Sequence, residues 1–346
     1  MGVTRIDDWM GDFDAVLDVR SPAEFADDHV PGAISLPALS DEERARVGTL
    51  YKQVSAFEAK KVGAALISRN IASHIEAYFL DKPGGFRPLL YCWRGGQRSG
   101  SFALVLAEIG FRPHTLIGGY KHYRRDVIER INTLPQQFQY RVVAGRTATG
   151  KTRFLDALSE IGAQVLDLEG LANHKGSMFG LTPGTVQPSP RGFESRIIDQ
   201  LHQFDPAEPI WVESESPKIG QLFVPKPLHE AMRKAPSIRL DAPLPARVQH
   251  SVNDYRPWFE HPEDVRSRLE RLTYRHGHAV IGRWTALLDA RDWEGLVEAL
   301  LVDHYDPAYA GSSSAYGWDQ GETVALADLS EASIKKAAED ALRRFS

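Results

Sequence analysis

Tyr140-Arg-Val-Val-Ala-Gly145-Arg-Thr-Ala-Thr-Gly150-Lys151-Thr152 decides the fold of the second half of this chain. A strand-like run, Tyr140–Ala144, enters a segment that fits G-x-x-x-x-G-K-[ST], and an amphipathic helical pattern follows at once. A phosphate-cradling loop requires that order. Glycines let the backbone pass close to phosphate oxygens, while successive N–H groups and the positive end of the helix hold the anion. The lysine neutralises charge and the hydroxyl serves a metal or a phosphate oxygen. Gly145, Thr147, Gly150, Lys151 and Thr152 are therefore the expected phosphate-binding residues. The motif names a phosphate, not its owner, and a chance glycine turn beside a surface lysine is the competing reading.

Working outward, strands are expected at Gln164–Leu168, Ile210–Glu213 and Ser237–Leu240, separated by helical or Gly/Pro-rich segments. This pattern predicts a doubly wound α/β sheet, with a mostly helical remainder from Leu244. Thr182–Gly192, with three prolines and two glycines, reads as a loop. In Trp211-Val-Glu213-Ser-Glu215, Glu213 stands at a strand end, where phosphate-loop proteins carry an acidic metal partner, more usually Asp. Two solvated surface carboxylates are the alternative.

The first half also alternates strand and helix. Asp14–Arg20, Gly32–Pro37, Arg87–Tyr91 and Thr115–Ile117 read as strands. Ser40–Tyr78 reads as helix, with Ile67, Ile71, Ile75 and Tyr78 on one face, and Ser99–Ile109 and the basic Lys121–Ile131 follow as helices. The organisation expected is an α/β domain over residues 1–131, a polar linker over 132–139, and the phosphate-loop domain over 140–346.

Composition bounds the function. The 346 residues are 42% hydrophobic and 25% charged, the balance of a chain that buries a sizeable core. With 41 Lys and Arg against 46 Asp and Glu, the net charge of -5 excludes a generally basic nucleic-acid coat or a polybasic membrane binder. Any RNA site must be a local patch. Met1–Met10 has no apolar signal region, Gly2 begins no myristoylation signal, and no run is long enough to span a membrane, so a cytoplasmic protein is expected.

One cysteine excludes an internal disulfide. It stands in Tyr91-Cys92-Trp-Arg-Gly-Gly-Gln-Arg98-Ser99, after a strand and before a helix. A free cysteine is commonly a buried small hydrophobe. Here glycines can turn N–H groups inward, the helix adds its positive end, and Arg94 or Arg98 adds charge, all of which stabilise a thiolate and a bound anion. A reactive Cys92 is expected, and that expectation requires a sulfur within reach of an incoming oxyanion.

Asp18-Val-Arg-Ser-Pro-Ala-Glu24-Phe25, His29-Val-Pro-Gly-Ala33 and the cysteine loop, in that order, resemble the rhodanese family. In that family the cysteine carries a persulfide sulfur; Asp18 and Arg20 are similar to the pair that braces the domain. Five residues separate Cys92 from Arg98, against four in many sulfurtransferases. The longer loop is similar to those of rhodanese-related phosphatases and arsenate reductases, which accept larger tetrahedral anions.

The fusion of the two halves, with Ser40-Asp-Glu-Glu-Arg44, Val47-Gly-Thr-Leu-Tyr-Lys-Gln53, Asn173-His-Lys-Gly-Ser-Met-Phe-Gly180 and Trp211-Val-Glu-Ser-Glu-Ser-Pro-Lys-Ile-Gly220, resembles the bacterial tRNA 2-selenouridine synthases over nearly the whole chain. The resemblance implies a tRNA-modifying transferase. A 2-thiouridine at the wobble position of tRNA would be S-geranylated from geranyl diphosphate, and the geranylthio group then replaced by selenium from selenophosphate. It implies that the Gly145–Thr152 loop holds the diphosphate. Cys92 would be the catalytic nucleophile, with Arg94, Gly95, Gly96, Arg98 and Ser99 around selenophosphate. No tightly bound cofactor is implied, and Mg²⁺ is left open. His174 and Lys175 are further candidates for phosphate or metal.

Two basic stretches are candidates for tRNA contact: Arg112–Arg130, with Lys121, Arg124 and Arg125, and Arg266–Arg283, with Arg268, Arg271 and Arg275. Solvated helix faces are the competing reading. Tyr255, Trp258 and Phe259 could stack on an unpaired base or pack a core. Two rivals remain at this level: an ATP- or GTP-dependent enzyme coupled to a sulfurtransferase domain, and a sensor of phosphate ligands.

Overall fold

The computed structural model describes residues 2–214 and 216–345. The chain divides into two compact units: Met1–Arg130 with Glu194–Arg196, and Ile131–Phe193 with Ile197–Ser346.

The first unit is built on five parallel strands: β1 (Thr4–Ile6), β2 (Ala15–Asp18), β3 (Ile34–Ser35), β4 (Pro88–Tyr91) and β5 (His114–Leu116), in the order β1-β5-β4-β2-β3. Central β4 is buried along its whole length, as a parallel strand covered on both faces must be. Leu17, Leu90, Phe102 and Leu106 form the core, and Ile71 packs into it with Ile67, Ile75 and Tyr78 at its margin. The helical periodicity of that stretch is thereby realised as one buried face.

Asp18, the last residue of β2, and Arg20, two residues beyond it, are buried. The Arg20 Nε donates to both Asp18 carboxylate oxygens at 3.0 Å, and its guanidinium lies 3.9 Å from the Tyr120 ring centroid. A buried ion pair is tolerated only when so fully hydrogen-bonded. Strand β1 is absent from the sequence expectation because Thr4-Arg-Ile6 lies half-exposed at the sheet edge and carries no apolar run.

The second unit is a parallel sheet of β6 (Tyr140–Gly145), β7 (Gln164–Leu166), β8 (Ile210–Glu213), β11 (Ser237–Asp241) and β12 (Glu322–Ala325) in the order β12-β11-β6-β8-β7, with an antiparallel hairpin of β9 (Lys218–Ile219) and β10 (Leu222–Phe223). Val143, Phe154, Leu158, Trp211 and Leu240 fill its core. A second cluster around Trp258, Leu269, Trp284 and Leu300 packs the helices that follow. Strand β12 interrupts the expected helical remainder; its Glu-Thr-Val-Ala sequence sits on an exposed edge, where pairing with β11 rather than burial defines it.

The stretch 132–139 is ordered rather than open. The helix Tyr120–Thr133 runs into it, and Leu134–Gln137 forms a 3-10 turn with Pro135 in its first positions and Pro135 and Phe138 buried. The expected loop at Thr182–Gly192 ends early, because Pro190 opens the helix Pro190–His202 and Ser189 caps it by accepting the Gly192 N–H at 3.0 Å.

Candidate functional site

Cys92 follows β4 directly and precedes the helix Gln97–Ile109. Its Sγ accepts the Gly96 N–H at 3.2 Å and the Ser99 hydroxyl at 3.3 Å. Burial pushes the thiol up, but the Ser99 hydroxyl and amide, the Arg98 charge and the Arg94 amide together bring it below its ordinary value. Cys92 is 4% exposed, whereas Arg94, Gly96 and Gln97 in the loop are exposed. Cys92 also packs with the hydrophobic core of the first unit, so its sulfur is less open to an incoming oxyanion than expected, although its Sγ meets the donors of the loop.

Arg98 does not face an incoming anion as expected: its Nη1 donates to Glu24 Oε2 at 2.9 Å, so it acts on the sulfur through its charge. Arg94 is exposed and makes no ion pair among the described residues.

The glycines divide by role. Gly95 sits at φ +62°, and a Cβ there would lie 2.3 Å from the Leu116 carbonyl oxygen; Gly96 has open space and contributes its N–H. Gly118 and Gly119 were not among the expected site residues. A Cβ on Gly119 would lie 2.1 Å from the Cys92 carbonyl oxygen, and the Tyr120 N–H donates to that same oxygen at 2.8 Å. The adjacent glycines before a helix were the available signal.

In the second unit Gly145 (φ +155°), Ala148 (φ +64°) and Gly150 (φ +80°) shape the loop between β6 and the helix Lys151–Glu160. A Cβ on Gly145 would lie 2.6 Å from Thr149 Oγ1. Ala148 holds a left-handed conformation that costs an L residue about 1–2 kcal/mol. The Lys151 Nζ donates to the Gly145 carbonyl at 3.2 Å, which keeps the ammonium over the loop.

The loop is braced from far along the chain. The Gly145 N–H donates to the Tyr309 hydroxyl at 2.8 Å. Buried Arg247 donates from Nε to the Thr147 carbonyl at 2.9 Å while its other nitrogens grip Asp306. Sequence spacing offers no sign of these partners.

Thr147, Gly150, Lys151 and Thr152 open into a cleft of about 680 Å³ that Glu213, His174 and Lys175 also line. Glu213 is 1% exposed and accepts the Glu169 N–H at 2.8 Å, so it is not a solvated surface carboxylate. Its neighbour Glu215 lies outside the described residues. Burial lowers the pKa of both His174 and His250 in this cleft, leaving neutral imidazoles at pH 7. Burial, with Asp167 and Glu160 nearby, raises that of Asp156. Among the described residues no group of three His, Cys, Asp or Glu is arranged to hold a metal ion.

Of the basic residues, Lys121 and Arg125 are exposed one turn apart on one helix, while Arg124 is half-buried. Arg271 and Arg275 are exposed. Arg268 instead donates to the Met178 carbonyl and lies 4.3 Å from the Trp258 ring centroid, within the packing of the helical region. Trp258 is buried and Phe259 stacks on Trp293 at 4.2 Å, so these aromatics are core.

Residues 138–320 match the family model described as the tRNA 2-selenouridine synthase AAA domain, and residues 3–126 match that of the rhodanese-like domain. A tRNA 2-selenouridine synthase of Marinobacter nauticus is 34% identical over 85% of this chain and 87% of its own. Another, of Nitrosomonas europaea, is 37% identical over 69% of this chain and 63% of its own; a third, of a Sulfurovum species, is 38% identical over 85% and 87%. Among the described residues no helix is long and apolar enough to cross a membrane.

Proposed function

The chain belongs to the tRNA 2-selenouridine synthase family, and from that premise we propose that it is an enzyme that forms 2-selenouridine in tRNA by two steps, one at each anion-binding loop. In the first, the sulfur of a wobble 2-thiouridine attacks carbon 1 of geranyl diphosphate. The carbon–oxygen bond breaks with its electron pair on the departing diphosphate, which Lys151, Thr152 and the loop amides stabilise. In the second, selenophosphate enters the Cys92 loop and its selenium attacks C2, the carbon–sulfur bond breaking with its electron pair on geranylthiolate. Cys92, as nucleophile, would take the phosphoryl group as the phosphorus–selenium bond breaks and pass it to water. The net change forms a carbon–selenium bond at C2, expels geranylthiol, and consumes one water to release phosphate.

What supports this reading is the pair of separately built glycine-bearing loops, which differ in character. One holds an ammonium over an open cleft; the other turns donors on a single sulfur. Thr152 and Glu213 line the same cleft and are the hard oxygen donors that would hold Mg²⁺ beside a diphosphate, where it would neutralise the leaving group. Lys121, Arg125, Arg271 and Arg275 are the exposed basic residues offered to tRNA phosphates.

The test is mass spectrometry of nucleosides from thiolated tRNA incubated with the protein, geranyl diphosphate and selenophosphate, each omitted in turn. Geranylated nucleoside should appear without selenophosphate, and selenouridine only with both. Geranylation that disappears in Cys92→Ser would overturn the assignment of steps to loops. Turnover of ATP or GTP that depends on Lys151 and not on tRNA would favour the nucleotide-dependent rival.

A further inference from the structure

Val47-Gly-Thr-Leu-Tyr-Lys-Gln53 ends the helix Asp41–Gln53, and the two-residue turn Val54-Ser55 passes the chain into the helix Ala56–His74. The turn is firmly made: the Val54 and Ser55 N–H groups both donate to the Leu50 carbonyl, at 3.0 and 3.1 Å, and Ser55 Oγ caps the second helix by accepting the Glu58 N–H at 3.1 Å. Its apolar side chains nevertheless face water. Tyr51 is 61% exposed, Val54 64% and Phe57 68%. The second helix meets the core of the first unit through Ile67, Ile71 and Ile75, whereas Gly63, nearer the turn, lies against Val47 of the first helix. The pair of helices is a finger, and residues 51–57 are its tip.

The tip is also basic. Lys52 and Lys60 are exposed and make no ion pair among the described residues; Lys61, paired with Glu58 at 2.7 Å, holds its ammonium 5.1 Å from the Phe57 ring centroid. The root of the finger is tied beside the cysteine loop. Arg44 donates to Glu24 Oε2 at 3.0 Å, the oxygen that also accepts from Arg98 at 2.9 Å, and Asn70 and His74 donate to the Ala38 and Pro37 carbonyls at 3.1 and 2.9 Å. From Arg44 to Gln53 the helix rises about 14 Å, at about 1.5 Å per residue. An aromatic ring displayed among ammonium groups on a rigid arm suits single-stranded nucleic acid, whose bases stack and whose phosphates pair. A second copy of the chain fits the tip poorly, because a stable protein interface buries about 800 Å² per partner around a centre poor in lysine.

Resting on tRNA as the substrate, we infer that this finger is a tRNA-binding surface of the first unit: Phe57 stacks on an unpaired base in the loop that carries the target nucleotide, and Lys52 and Lys60 take the flanking phosphates. Phosphate contacts alone would hold a paired stem as well as an open loop. The ring makes the difference, because only an unpaired base offers it a face.

Filter binding of thiolated tRNA to the full chain across a salt series decides the point. Phe57→Ala should weaken binding by roughly tenfold, the scale of losing one stacked base, and leave the salt slope unchanged. Lys52→Gln combined with Lys60→Gln should also weaken it and reduce the slope of log affinity against log salt by about 1.4, two contacts at about 0.7 each on a single strand. The unaltered chain should prefer an anticodon stem-loop to a blunt RNA duplex, and Phe57→Ala should lose that preference. Affinity and slope unchanged in both variants would overturn the inference and leave tRNA as the substrate. A dimer that Phe57→Ala dissolves, with tRNA affinity intact, would give the tip to a second copy and overturn it too. An unaltered chain that binds no tRNA would sink the tRNA reading and the finger with it. The lysine variants change exposed side chains only, so they decide even where Phe57→Ala fails to fold.

Discussion

The loop after β4 and the loop after β6 are both glycine-bearing turns from a parallel strand into a helix, and they do opposite things with positive charge. In the Cys92 loop the arginine is fixed to Glu24 and influences the sulfur from a distance; the direct contacts are an amide and a hydroxyl. In the Gly145–Thr152 loop the ammonium itself is presented to a cleft large enough for a whole ligand. On the proposed function, the first arrangement would poise the electron pair of one atom, and the second would receive charge that develops on a departing group. Similar local topology therefore does not imply similar chemistry; what the side chain at the turn is tied to decides it.

The comparison breaks first at Cys92. Cys92→Ser should abolish selenium incorporation and let geranylated tRNA accumulate, read by nucleoside mass spectrometry; retained selenouridine would remove the sulfur from the mechanism. Lys151→Ala should slow geranyl transfer by roughly 10²–10³-fold, the scale of losing one donor to a developing anion, with the rate of Cys92 alkylation unchanged. An equal loss at both sites would mean that the loops do not act independently.

Smaller effects sharpen the contrast. Gly119→Ala places a Cβ against the Cys92 carbonyl and should lower unfolding stability by about 1–3 kcal/mol in urea titration, whereas Gly96→Ala, with open space, should cost less than about 0.5 kcal/mol. Ser99→Ala removes the first of the interactions that hold the thiol below its ordinary value, so the alkylation profile should move to higher pH and the rate at pH 7 fall by roughly fivefold. Ala148→Gly relieves a left-handed residue and should raise stability by roughly 0.5–1 kcal/mol.

Much of this was legible in the chain. The central strands β4, β6 and β8 are almost wholly buried and mostly apolar because both faces are covered, and the Gly145–Thr152 motif carries its strand and helix with it. The edge strands β1 and β12 are not legible, since pairing along one side leaves their composition mixed. Cys92 can be read from its neighbours, but the tie of Arg98 to Glu24 spans 74 positions and no local pattern encodes it. The same holds for Arg268, where a basic residue in a basic stretch serves to cover a tryptophan.

Arg247 reaches the phosphate loop across 100 positions and Tyr309 across 164. A fragment ending before residue 300 would keep every letter of the glycine-lysine motif and lose Asp306 and Tyr309, leaving Arg247 without its carboxylate. The cradle is thus complete only with the distal helices in place, and a chain cut there would display the signature without owning the receptacle.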